Sequence, residues 1–419
     1  MTSERSCFIY VQLPGTLETV PAAKLTIETL PDGVVIGRFR YGDRFLGRQD
    51  SIALDPFALP LGKTSYAFTQ LKGVPGAVRD AGPDAWGRRV IEHTLERGPD
   101  DLHEIDYLLS GPQDGAGHLT FGLKPEPPAP SRHYNRTQQM PALLAAMQAI
   151  EAGGVVDPQI QQFVNAGTSM GGARPKATIE YNDQLWLGKF PSKDDRFNLQ
   201  RVEFATLELA RRCGITVTAS RLQSSGSIDI LMLARFDREF TAAGYLRYGM
   251  VSGLTVLQCG DTHLDRGKWS YPLLADELRR WSDKPDVDCA EVFRRMVFNA
   301  AVTNNDDHPR NHALLRKPKG WRLSPAYDLV PAPVVSLERR DLALIVGDYG
   351  RTASCYNLLS QAARFGLSAD AARDIFNHVA KEVARWRDVF AHCGVSATDA
   401  ALVAPAFLPE CFFFEAPIQ

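Results

Sequence analysis

Four prolines fall within the ten residues 123–132, LKPEPPAPSR, and this stretch restricts the path of the chain more than any other. Proline has no backbone N–H and a fixed φ, so such a run extends neither a helix nor the interior of a sheet. It favours extended polyproline II geometry. The residues on either side must therefore fold as separate blocks. We expect a first block over 1–122, a linker over 123–132, and the remainder beyond it.

Before the linker the pattern is that of short strands. CFIYVQL, LTIETL, VVIGRFRY and RFLG are rich in β-formers, and Pro31-Asp32-Gly33 separates two of them as a turn. From Asp80 the character changes. GPDAWGRRVIEHTLERG predicts a helix with Asp84 at its N-cap and Ile91, His93 and Leu95 toward its inner face.

After the linker, MPALLAAMQAIEAGG predicts a helix ended by a glycine pair. KATIEY and QLWLGKF, separated by Asn182-Asp183, carry a hairpin signal. VEFATLELARRCGI comes next as an amphipathic helix, with Val202, Ala205, Leu209 and Cys213 on one face and Gly214 as its stop. SRLQ and IDILMLARFDRE predict another strand pair. From about Pro272 helices dominate, with one β-like interruption at HALLRKPKGWRLSPAYD. Strands first, a mixed layer next and helices last predict an α+β protein. Its small β-rich lobe would meet a larger helical lobe at a cleft.

Composition narrows the class. Lys plus Arg is 47 and Asp plus Glu is 49, a net charge of −2. That balance argues against coating nucleic acid or an anionic membrane by bulk charge. The seven cysteines are scattered without a C-x-x-C pair, so neither a disulfide framework nor a zinc ribbon is expected. A reducing cytoplasm fits them. The N-terminus has no signal-peptide pattern, and no apolar run reaches membrane-spanning length.

The densest polar cluster is Asn304-Asn305-Asp306-Asp307-His308-Pro309-Arg310-Asn311-His312, directly after an apolar helix. Asp306 and Asn311 stand in D-x-x-x-x-N spacing. Phosphoryl-transfer enzymes use this spacing so that the Asp orients or deprotonates the acceptor hydroxyl and the Asn holds magnesium. Asp328, in Ala326-Tyr327-Asp328, stands where a second metal carboxylate would be needed. The alternative is a solvated loop with capping Asn and Asp. Asp307 and His308 could also be metal ligands, with His312 four residues after His308, but no H-E-x-x-H accompanies them and Pro309 disfavours one continuous helix there.

Upstream, GTSMGGARPK over 167–176 is a glycine-rich loop that fits no standard phosphate-loop pattern. Its glycines would let backbone N–H groups approach phosphates, and an ordinary turn is the alternative. Lys189 lies late in the strand QLWLGKF, and Glu203 lies on the next helix. A strand Lys paired with a helix Glu is how kinases hold the α- and β-phosphates; two unrelated surface charges are the alternative. Ala234 to Phe236 ends the strand ILMLARFDRE, where an adenine would find backbone partners, although Phe236 could equally belong to the core. Each piece is weak by itself. Their order points to phosphoryl transfer.

Together GTSMGGARPKA, LWLGKFPS, VEFATLELARRCGI, LARFDR, NNDDHPRNHALL and LSPAYD resemble the HipA family of serine/threonine kinases, the toxins of bacterial HipBA-type toxin–antitoxin systems. GPDAWGRRVIE and LLSGPQDGAGHLTFG resemble the segments that precede the kinase core in that family. The resemblance implies a protein-kinase-like two-lobed core, with an N-lobe-like region over 133–238 and a helical C-lobe with the catalytic loop over 239–419. It implies Asp306 as catalytic base in a D-x-H-x-x-N motif with His308 and Asn311, and Asn311 with Asp328 as Mg2+ ligands. Lys189 would contact phosphates, supported by Glu203. Gly171, Gly172, Ala173, Arg174 and Lys176 would form the phosphate loop, and Ala234 with Phe236 the adenine hinge. Ser169 falls at the family's autophosphorylation position, where a phosphoryl group adds nearly two charges. Ala234 replaces an acidic residue of the best-known toxin, and Asp307 a glycine common at that place.

The resemblance further implies an ATP- and Mg2+-dependent cytoplasmic kinase that phosphorylates a translation enzyme such as an aminoacyl-tRNA synthetase. Its partners would be a HipB-like helix-turn-helix antitoxin and, through it, operator DNA. Two other readings are a co-repressor with little catalysis of its own and a small-molecule kinase on a related fold.

Overall fold

The computed structural model describes residues 3–129, 134–154, 156, 164, 172–226, 228–332 and 340–417. The chain forms two compact units. One comprises 1–193, 234–260 and 315–318; the other comprises 194–233, 261–314 and 319–419.

In the first unit, β1 (Ser3–Gln12), β2 (Thr19–Thr29), β3 (Val35–Tyr41), β4 (Tyr66–Phe68) and β5 (Leu119–Gly122) form an antiparallel sheet in the order β4-β3-β2-β1-β5. Alternation places Cys7, Ile9 and Val11 of β1 beside Leu25 and Ile27 of β2 and Phe39 and Tyr41 of β3 in one buried core. The β1–β2 register shifts between Ile9 and Tyr10, where Pro21 stands opposite Tyr10. A proline cannot donate to the ladder, so an irregularity there is expected. The turn foreseen at 31–33 is present, with Gly33 at φ +84.

The helix Ala85–Leu95 starts at Asp84, whose Oδ1 accepts from the Gly87 N–H at 2.7 Å, as the sequence indicated. Its buried face carries Trp86, Val90 and Ile91, whereas Leu95 is exposed. That corrects the expected inner face by a part-turn. A second correction concerns RFLG, which belongs to a short helical turn, Asp43–Leu46, rather than to a strand. Its apolar residues are too few to alternate, and only Phe45 is buried there. The proline run carries neither helix nor strand through residue 129.

β6 (Asn135–Arg136), β7 (Lys176–Tyr181) and β8 (Gln184–Lys189) belong to the same unit and pair in that order. The β7–β8 hairpin turns on Asn182 at φ +50 and Asp183 at φ +55. Two consecutive left-handed residues make the tight turn whose twist suits flanking strands, and Asn and Asp tolerate it better than most residues.

The second unit is mainly helical. Leu199–Arg212 buries Val202, Ala205 and Leu209, with Cys213 at its C-cap, on the face the spacing predicted. Its N-cap Asn198 accepts from the Arg201 N–H. Ser220–Ser225 pairs antiparallel with Ile228–Ala234. Helices Tyr271–Trp281, Pro285–Ala301 and Ala369–Val383 complete the core of this unit. Pro285–Ala301 is buried almost all round, which makes it a rigid stem for the polar loop at its C-terminal end. The class is α+β, as the sequence implied. Among the described residues, no helix is long and apolar enough to cross a membrane.

Candidate active site

The polar cluster after the stem helix is an ordered loop in the second unit. Val302 caps the helix, and Thr303 takes a left-handed φ of +48. The Asn304 N–H then donates to the Asn299 carbonyl at 2.8 Å, and its side-chain amide to Asn299 Oδ1 at 3.1 Å. Asn299 Nδ2 donates to the Tyr271 hydroxyl at 2.8 Å. That hydroxyl donates to Asp307 Oδ2 at 2.6 Å. The other Asp307 oxygen accepts from the Ala343 N–H at 2.6 Å. A chain of buried, mostly neutral groups thus pins the loop from beneath.

This resolves the two adjacent carboxylates. Asp307 is 1% exposed and points inward, whereas Asp306 is exposed. Burial pushes Asp307 up to about 7, against the pull of the Tyr271 hydroxyl and backbone donors. The sequence reading weighed Asp307 only as a candidate metal ligand. Its partners lie about 36 residues away on either side, beyond the reach of a local motif.

Asn311 Nδ2 donates to the Asp306 carbonyl at 2.9 Å, closing the loop on itself. That leaves Oδ1 of the amide as the oxygen of the kind magnesium takes. His308 is half-buried, packs edge-on against Trp269 at 4.2 Å, and its Nδ1 accepts from the Arg310 N–H. His312 is buried, and neither ring nitrogen has a hydrogen-bond partner among the described residues.

Tyr327, next to Asp328 in sequence, is tied to this loop, its hydroxyl donating to the Arg310 carbonyl at 2.6 Å. On the other side Ala326 bridges to Val217, and Arg295 donates to the Ser324 carbonyl at 2.7 Å. Asp328 itself sits at φ +58. A non-glycine residue in this region is held there by its surroundings, and such positions concentrate at functional sites. An exposed Asp, an amide oxygen and a second partly exposed carboxylate are the donor set that suits magnesium, which takes one or two protein oxygens and completes its shell with phosphate and water. Among the described residues no cluster of three His, Cys, Asp or Glu side chains could hold a metal by itself.

The remaining predicted residues divide between the units. Glu203 is buried on Leu199–Arg212 in the second unit. Lys189 closes β8 in the first, directly across the ladder from Lys176. Lys176 is 2% exposed, and its Nζ lies 2.9 Å from Asp84 Oδ2. Gly172, Ala173 and Arg174 are exposed. The Gly172 carbonyl accepts from the Trp86 N–H, so the described part of the loop rests on the start of the Ala85–Leu95 helix. Gly172 has φ +117, and a Cβ there would lie 3.1 Å from the Lys176 ammonium, so the position suits glycine. Ser169 and Gly171 lie outside the described residues.

Ala234 is buried at a strand end and Phe236 is half-buried. Between and beside them is what sequence reasoning missed. Arg235, Asp237 and Arg238 are buried and joined to Asp114. Arg235 Nη1 lies 2.6 Å from Asp114 Oδ2 and its Nη2 2.9 Å from Asp237 Oδ2. Arg238 reaches Asp114 at 2.9 Å and Asp237 at 2.7 Å. The carbonyls of Gly115 and Gly117 accept further guanidinium N–H bonds, and the Gly117 N–H donates to Asp237. The only sequence signal was the unusual R-F-D-R at the end of an apolar strand.

The chain resembles known proteins both in sequence and in fold. Residues 168–387 match the family model described as HipA-like C-terminal domain. Two Sinorhizobium fredii proteins, named "Putative kinase Y4dM" and "Putative kinase Y4mE", are similar in sequence. The first is 28% identical over 221 residues, covering 49% of this chain and 51% of that protein. The second is 26% identical over 132 residues, covering 30% and 31%. The match to the first thus spans about half its length. Among solved structures, Shewanella oneidensis MR-1 HipA, in complex with HipB and operator DNA, superposes with a TM-score of 0.66. It is 18% identical over 95% of this chain and 94% of that one. At that identity the likeness concerns the fold.

Proposed function

The chain belongs to the HipA-like C-terminal domain family, and from that premise we propose that it is an ATP- and Mg2+-dependent serine/threonine protein kinase. The observation that carries the reading is the loop 304–311. It turns one carboxylate of an adjacent pair into the protein and leaves the other, Asp306, exposed on a braced backbone.

In this reading Asp306 accepts the proton of the incoming hydroxyl and fixes its line of attack. Asn311 and Asp328 hold magnesium, which when bound neutralises charge on the transferring phosphoryl group. The Tyr327–Arg310 bond keeps the two ligands in register with each other. Backbone N–H groups of the glycine loop, with Gly171, Gly172, Ala173 and Arg174, receive phosphate oxygens, and Lys176 anchors that loop on Asp84. Lys189 contacts phosphates. His308 holds the loop turn through its Nδ1 bond. Ala234 and Phe236 meet the adenine, their backbone fixed by the buried Arg235–Asp237 pair. Most of the rate enhancement then comes from positioning and electrostatics.

The biological setting is that of the family. The protein acts as the toxin of a type II toxin–antitoxin pair in the cytoplasm. It is restrained by a HipB-like antitoxin that carries it to operator DNA, and it phosphorylates a translation enzyme, with an aminoacyl-tRNA synthetase the leading class. Autophosphorylation of Ser169 switches it off by adding negative charge beside the phosphate loop.

The test is phosphate transfer from labelled ATP with magnesium, using dephosphorylated protein beside Asp306→Ala and Ser169→Ala. Label on Ser169 that disappears in Asp306→Ala is the expected result. Absence of both label and ATP binding in the wild type overturns the kinase reading and leaves the co-repressor role. Transfer to a metabolite but to no protein supports the small-molecule kinase instead.

A further inference from the structure

Within the first unit lies a cavity of about 420 Å³ that none of the roles above uses. The size is that of a small-molecule site. Two opposite charges line it without meeting each other. Glu180 lies near the end of β7, half-buried, and one of its oxygens accepts from the Tyr245 hydroxyl at 2.8 Å. Its other oxygen has no partner among the described residues. Arg247 is 14% exposed, and its Nη2 is held by the Gln113 carbonyl and Asp114. Its Nε and Nη1 donors have no partner among the described residues. No ion pair joins Glu180 to Arg247.

Partly dehydrated charges with unused hydrogen-bonding capacity are costly until something meets them. A ligand with one charge would satisfy one wall and leave the other. A ligand with both would satisfy both. The rest of the wall mixes the polar Gln12, Thr19, Gln113, Thr120 and Thr241 with an aromatic and apolar side. Tyr134 and Phe240 both pack on Tyr245, at 5.5 Å and 5.4 Å between ring centres, and Leu17 stands 37% exposed beside them. Ring faces next to a carboxylate favour an ammonium group.

We propose that this cavity binds a small zwitterion of the α-amino-acid type, its ammonium group at Glu180, its carboxylate at Arg247, and an apolar or aromatic body against Tyr134, Tyr245 and Phe240. None of the proposed phosphoryl-transfer residues lines the cavity, so the proposal stands whether or not the chain is a kinase.

The experiment is calorimetric titration of the full chain with L-phenylalanine and with L-phenylalanyl-L-alanine, which differ in the span between their charges. N-acetyl-L-phenylalanine, lacking the ammonium group, and L-phenylalaninamide, lacking the carboxylate, are the controls. The expected result is saturable binding of at least one zwitterion. Binding should weaken roughly tenfold or more in each control and in Glu180→Gln, the loss of one charge-assisted bond. Arg247 is left intact because it also supports Asp114, and the amide control probes its role. Absence of saturable binding by both zwitterions up to about 10 mM overturns the proposal. So does binding that survives acetylation, amidation or Glu180→Gln unchanged.

Discussion

The strand end 235–238 and the loop 304–311 are both fixed by buried polar side chains, but by opposite means. The first uses full charges. Two aspartates, Asp114 and Asp237, face three guanidinium groups from Arg235, Arg238 and Arg247. The second uses a line of directional bonds through Asn304, Asn299 and Tyr271 to Asp307. A charge cluster tolerates modest misalignment but requires every member, since removing one strands the rest in a dry interior. A chain of neutral bonds loses less per member but more in precision. The difference suits what each region holds. On the proposed kinase reading, a second fully ionised carboxylate beside Asp306 would repel triphosphate. Burial of Asp307, with its affinity for a proton raised, limits that charge.

The largest effect should come from breaking the cluster. Asp237→Asn removes one of the two carboxylates that Arg235 and Arg238 share, and these side chains are 0% and 1% exposed. Loss of about 3–5 kcal/mol is expected by urea unfolding. A loss below about 1 kcal/mol would mean that Asp114 and the backbone carbonyls satisfy the guanidinium groups without Asp237.

Next is pH, where the two regions carry opposite signs. Burial raises Asp307 to about 7, against about 3.9 in an unfolded chain. Its contribution to stability is complete below about pH 4 and is lost as pH rises through about 7. For Asp114 and Asp237 burial also pushes up, but the neighbouring guanidinium charges win and both titrate below the usual range. Their contribution is present above about pH 4 and is lost on acidification below it. Buried His118 and His312, lowered to about 3, lose stability as pH falls through about 6.5, against the Asp307 trend. The informative quantity is therefore the difference between wild type and Asp307→Asn. From about pH 5 to about 7.5 the wild type should lose ground relative to the variant, by at most roughly 1.4 kcal/mol for each pH unit. A constant difference would place the Asp307 proton elsewhere.

Much of the scaffold was legible because its signals are local. Asn182-Asp183 turns a hairpin through its own backbone preference, and Val202, Ala205 and Leu209 read as one helix face by spacing alone. The proline run stops helix and strand through residue 129 for a reason written in each residue, yet the stretches on both sides of it belong to one compact unit, 1–193. RFLG misled because four residues cannot distinguish periods of two and 3.6. The kinase-like residues could be found as a motif, yet their setting could not. Nothing near position 307 announces that Tyr271 and Ala343 will meet it, and nothing near Arg235 names Asp114. Buried polar pairs far apart in sequence are products of the fold, and a charged residue read alone is assigned to the surface.

A smaller effect separates positioning from stability. Tyr271→Phe deletes the hydroxyl that joins Asn299 to Asp307, leaving both buried groups short of a partner. About 1–3 kcal/mol of stability should go. If the loop positions Asp306, kcat for phosphoryl transfer should fall while KM for ATP changes little, because the deletion lies beneath the loop. Equal losses in both would mean that the loop as a whole had moved.

The smallest effect tests what the outer rim of the loop contributes. Arg310 pairs with Asp261 at 2.7 Å, but the two side chains are 26% and 37% exposed. Water screens such a pair and ordering two side chains offsets its attraction, so Asp261→Asn should cost about 0–1 kcal/mol. The bond that ties Tyr327 to the loop uses the Arg310 carbonyl, not its guanidinium, and so survives this change. Tyr327→Phe deletes that bond and is the paired control. Magnesium dependence of transfer should weaken in Tyr327→Phe and stay at the wild-type level in Asp261→Asn. If Asp261→Asn alone disturbs the magnesium requirement, the exposed ion pair is setting the loop, and the division between a neutral inner brace and a dispensable charged rim fails.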